Sequence, residues 1–174
     1  MSGKDQDGGR GSGFGVNLAR DGNVVDFPGT RVERRQREFC DAVARLKSAL
    51  SEEKSVPVAT RQALVAELGV FDNWSEAGGT LLPGAGMGRE IARQILLLDY
   101  RLSILRPLAA RLDGSLRHAV RQYAEASGLL LEATARRTPD GEWVGRPRRT
   151  EIEALLLALH GNHPPEDGGG ADRR

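Results

Sequence analysis

The sequence predicts a mainly α-helical protein: a small helical bundle built on a long helical hairpin, with a disordered tail at each end. Three observations carry this expectation. The residues available for a core are mostly Leu, Val, Ile and Ala, because the chain has only two Trp, two Tyr and four Phe. That composition favours helices over a sandwich or barrel. From Ile91 onward the apolar residues recur at alternating steps of four and three, the spacing of one helix face. Glycine gathers at the two ends and in one internal stretch, which sets the limits of a single domain. We divide the chain into a tail over 1–30, a helical domain over 31–160 and a tail over 161–174.

Residues 1–30 are rich in Gly and Asp and lack periodicity, so they read as disordered. The stretch lacks the apolar run of a secretory signal. Within it, segment 23–29 carries Val24, Val25 and Phe27, and Pro28 holds Phe27 extended. Three apolar residues in a polar tail suit a short docking peptide that adds to a partner's groove or edge. They also suit a segment that packs on its own domain.

A first helix is expected from Arg31 to Glu53, with Phe39, Val43, Leu46 and Leu50 on one face. Its start, with Arg34, Arg35 and Arg37, reads as a solvated face with i,i+4 pairing from Glu33 to Arg37. Cys40 is the only cysteine. It excludes an internal disulfide, fits a reducing compartment, and reads as a small residue at the core edge. A second helix begins after Val56-Pro57, capped at or just before Thr60, with Leu64, Val65 and Leu68 inward and Gly69 as its stop. "TRQALVAELGV" has the form of the first half of a helix-turn-helix. The next residues, "FDNWSEAGG", make a poor recognition helix, because Asp72 and Glu76 repel phosphate.

Residues 77–88 read as a glycine-rich connector. Gly84, Gly86 and Gly88 precede a helix, as in a phosphate loop, but the chain continues Gly88-Arg89-Glu90 where Gly-Lys-Ser/Thr is needed. The long register then runs through Ile91, Ile95, Leu98, Leu102, Leu105, Ala109, Leu112 and Leu116. Its heptad-like spacing suggests helix pairing, and Ile91, Ile95, Leu98, Leu102 and Leu105 are the expected oligomer interface. Pro107 is expected to kink this helix or to start a new one. Gly114 can end one helix and Ser115 can cap the next.

Two folds suit the residues beyond Leu112. In the first, Ser115 to Arg137 is one helix antiparallel to Arg89–Leu112, succeeded by a short β-hairpin near 138–147. In the second, a winged helix-turn-helix within 89–150, Ser115 starts a recognition helix presenting Arg117, His118 and Arg121, and the later residues form the wing. Asp140-Gly141 is a good hairpin turn in either. Arg136, Arg137, Arg146, Arg148 and Arg149 flank that turn in both. A last helix is expected from Thr150 to His160, with a Thr150–Glu153 capping box and Gly161 as its end.

The net charge of +1 argues against a generic polyanion binder and leaves room for a local basic patch. All but three of the basic residues are arginine, which suits bidentate contact with phosphate and guanine. Five charged residues between Ile91 and Leu112 exclude an ordinary membrane span. The expected location is cytoplasmic. His160 and His163 are too few for a metal site, no cofactor is expected, and no acid–base or nucleophile set emerges. The sequence therefore points to a non-enzymatic helical protein that binds DNA as a dimer or oligomer, a regulator or DNA-processing accessory. The DNA-binding residues would be Arg117, His118, Arg121, Arg136, Arg137, Arg146, Arg148 and Arg149. The alternative is an oligomeric adaptor that binds a protein partner and no nucleic acid.

Overall fold

The structure is a computed structural model, and it describes residues 28–72, 74, 87–137, 143–144 and 147–161. It is mainly helical. Helix α1 spans Pro28–Glu52, α2 Val58–Leu68 and α3 Met87–Leu102. Helix α4 spans Gly114–Thr134 and α5 Thr150–His160. Between the last two, β1 (Arg136–Arg137) pairs antiparallel with β2 (Trp143–Val144). The segment Val24–Phe27, Arg146, His163 and most of the glycine-rich connector lie outside the described residues.

Helix α1 starts three residues earlier than expected. Proline is tolerated at a first helical position, where its missing N–H would have no partner anyway. The face of Phe39, Val43, Leu46 and Leu50 is buried as the spacing requires. It packs chiefly on α4, the most extensive contact between helices in the fold. Phe39 stands 6.0 Å from Tyr123 of α4 and 5.0 Å from Phe71, and Phe71 stands 4.8 Å from Trp74. The segment after α2, unfit as a recognition helix, thus supplies aromatic packing. Helix α2 starts after Pro57 with no side-chain cap, so Thr60 does not cap it.

The register from Ile91 to Leu116 is buried at every position. It is not carried by one helix. The α-helix gives way at Ser103 to a 3-10 turn over Ser103–Leu108 that contains Pro107. The reason is local. An α-helix would need an N–H at position 107 bonded to the carbonyl of residue 103, and the proline ring collides with that carbonyl. The tighter turn keeps Leu105 inward, so the seam crosses the break. The helix expected over 89–112 is therefore shorter, ending at Leu102, and α4, which touches α3, has a larger contact with α1. Helix α5 closes the bundle over α3 and the 3-10 turn.

The cap of α4 is Asp113, not Ser115. Its Oδ1 accepts from the Leu116 amide at 2.7 Å, and Gly114 is already helical. Helix α5 has Arg149 before it and no side-chain cap, so the Thr150–Glu153 capping box does not form. Glu151 and Glu153 still lie in its first turn, where the helix dipole favours acids.

Glu53, just past α1, is buried and joins two distant turns. Its carboxylate accepts from the Asp113 amide at 2.9 Å and the Ser55 amide at 2.8 Å. Burial alone would raise its pKa, but the hydrogen bonds from Ser55 and Asp113 and the charge of Arg61 hold it below the ordinary 4.5. A depressed carboxylate stabilises the fold above its unfolded pKa and stops doing so as pH falls through the folded one. Urea midpoints should therefore fall more steeply below about pH 4.5 for the wild type than for Glu53→Gln. Parallel curves for the two proteins would contradict this role.

Candidate nucleic-acid interface

The basic residues expected to bind DNA separate into three groups. Arg149 belongs to the core. Its Nε and Nη2 donate to the two carboxylate oxygens of Asp99 at 2.7 and 2.8 Å, a bidentate ion pair. Nη2 also donates to Ser127 Oγ at 2.8 Å, and Nη1 to the Ala124 carbonyl at 3.2 Å. The Tyr123 hydroxyl donates to Asp99 Oδ1 at 2.9 Å. The Arg149 side chain is 11% exposed and that of Asp99 1%. Burial opposes the charge on Arg149, but Asp99 outweighs it and raises the guanidinium pKa. Burial, reinforced by the Asp99 charge, puts the Tyr123 hydroxyl well above its ordinary value. These four side chains bring α3, α4 and the start of α5 together. As placed, the Arg149 guanidinium is committed to Asp99 and does not face a phosphate.

Arg117 is half-buried and turned toward the backbone. Its Nε donates to the Leu112 carbonyl at 2.9 Å and its Nη2 to that of Ala110 at 3.1 Å. It ties down carbonyls of the turn between the 3-10 segment and α4. His118 is exposed on the same helix. Helix α4 buries Leu116, Ala119, Val120, Tyr123, Ala126, Ser127, Leu130 and Leu131, and from Arg121 to Thr134 only Glu125 is exposed. A helix so covered is a central core element. The short recognition helix with a wing from Gly128 is not formed, because α4 continues unbroken to Thr134.

Arg121, Arg148 and the hairpin form the third group. Arg121 is half-buried, and its Nε is shielded without a hydrogen-bond partner. It lies on the wall of a cleft between α4 and α5 with a volume of about 380 Å³. Ala124, Gly128, Leu131, Ile152 and Leu156 give the cleft an apolar lining, and Glu125, Glu153 and His160 add polar groups. Arg148 is exposed just before α5. The hairpin register sets Arg136 across from Val144 and Arg137 across from Trp143. Its connecting residues, Asp140-Gly141 among them, lie outside the described residues, as does Arg146. The cleft can hold an apolar group and offer it both donors and acceptors. Among the described residues, no group of three His, Cys, Asp or Glu is placed to hold a metal ion. No family model, curated protein or solved structure matches the chain.

The expected oligomer interface is already occupied. Ile91, Ile95, Leu98, Leu102 and Leu105 are each at most 2% exposed within one chain. Cys40 is half-buried, and burial, with the charges of Asp41 and Asp72, raises its thiol pKa, opposite to what an activated nucleophile needs. No described helix is long and apolar enough to cross a membrane.

Asp99 was not among the residues expected from sequence, although the signal was present. Ile95, Leu98, Asp99 and Leu102 fall at i, i+3, i+4 and i+7, so an acid stood on the core stripe. A buried carboxylate needs a cation, and a downstream arginine had to supply it.

Proposed function

We propose that this is a non-enzymatic DNA-binding protein, a regulator or DNA-processing accessory, that holds phosphate through its β-hairpin and the flanking residues. The contacts are assigned to Arg136, Arg137, Arg146 and Arg148; Arg121 lines the cleft beside Arg149, while His118 is exposed toward the other end of α4 and is left out of the assignment. The observation that supports this reading is the hairpin register, which sets Arg136 across from Val144 and Arg137 across from Trp143, shortly before the exposed Arg148 in the chain. Arginines in and beside a short hairpin suit contact with backbone phosphate. Arg149 and Arg117 leave the assignment, because each is engaged with the protein itself. Insertion of α4 into a groove also leaves it, since that helix is covered.

Fluorescence anisotropy with labelled random duplex and single-stranded DNA tests the reading. Binding is expected at low salt, weakening steeply as salt rises. Absence of detectable binding to either probe at low salt would sink it.

A further inference from the structure

Helix α3 and the 3-10 turn that continues it have two apolar faces. The inner one is the buried register. On the outer one, Leu97 is 48% exposed, Tyr100 62% and Ile104 53%. Steps of three and four place these residues on one stripe. Folding requires only the inner face, so the outer one is left without a partner among the described residues.

The charges beside this stripe are mostly positive. Arg89, Arg93, Arg101 and Arg106 are exposed along or beside it. Against them stand Glu90, whose carboxylate is 2.8 Å from Arg93 Nη2, and Glu67, 3.6 Å from Arg101 Nε. Among the described residues, four cations stand here against two anions. We propose that this face docks an acidic amphipathic helix of a protein partner, whose apolar residues cover Leu97, Tyr100 and Ile104 and whose carboxylates meet the arginines. A second copy of the chain is the poorer occupant. Self-pairing brings the same positive surplus against itself, and like charges facing each other oppose association. This surface does not use the hairpin, so the proposal stands apart from the DNA reading.

The probe is a labelled synthetic helix with Leu on one face and Glu on the other, titrated with the full chain. The control is the same peptide with Lys in place of Glu. The Glu peptide is expected to bind and to weaken as salt rises, while the Lys peptide does not bind. Tyr100→Asp is expected to weaken the Glu peptide at least about tenfold, consistent with loss of an interface anchor. Ile104→Ser repeats the test, and circular dichroism verifies that both variants fold. No binding of the Glu peptide, equal binding of the Lys peptide, or indifference to both substitutions would each overturn the proposal. Binding to phosphatidylserine vesicles that is lost in the same two variants, without peptide binding, would assign the face to a lipid surface instead.

Discussion

Arg149→Met is expected to lower stability by about 3–5 kcal/mol, the usual cost of stranding one partner of a buried ion pair. Asp99 is 1% exposed, so it cannot recover water when its cation is gone. Ser127 Oγ and the Ala124 carbonyl lose a donor in the same step. The pair is expected to behave as a unit. Asp99→Leu with Arg149→Met removes both charges, so it should cost clearly less than the sum of the single substitutions. Urea unfolding of the four proteins in a double-mutant cycle measures this. A loss below about 1 kcal/mol for Arg149→Met would show that the pair is not holding the fold, since that is the range of exposed ion pairs.

Leu102→Ala should cost about 2–5 kcal/mol, as for other fully buried leucines. Leu102 is the last residue of α3 and has no exposed surface, and it sits directly before the 3-10 turn. The loss combines the transfer of its side chain with a cavity where the register changes helix type. The nature of the unfolding transition matters as much as its size. A seam filled by the chain itself gives an unfolding midpoint independent of protein concentration, for wild type and variant alike. A midpoint that rises with concentration would mean that the seam is shared between copies.

How much of this was legible in the sequence depended on the range of the interaction. The three-four register identified the buried residues from Ile91 to Leu116, because side-chain burial obeys the helical period even across the 3-10 turn. Pro107 announced a break. Its onset at Ser103 comes from the clash with the residue four positions earlier, a step the periodicity alone does not supply. The pairing of α4 with α1 was hidden, since nothing local to Tyr123 points to Phe39. Caps were misassigned within a residue or two: Asp113 and Ser115 are both good caps, and only the backbone decides between them.

The candidate site was legible as a region and not as roles. Arg148 and Arg149 are chemically identical neighbours, yet one is exposed and the other is locked to Asp99. Arg117 and Arg121, one helical turn apart and both half-buried, differ in what they meet. One holds carbonyls of the preceding turn, and the other lines the cleft. Sequence placed Arg148 and Arg149 beside one loop and Arg117 and Arg121 on one helix, and tertiary contacts sorted them.

The proposed division of the arginines between core and DNA is tested most directly by the salt dependence of binding. The slope of log affinity against log salt should be measured for the wild type and for Arg136→Ala/Arg137→Ala/Arg148→Ala. Three lost phosphate contacts predict a slope shallower by about 2–3 on duplex DNA, with the unfolding midpoint nearly unchanged. An unchanged slope in a folded triple variant would contradict the assignment of phosphate contacts to the hairpin and Arg148.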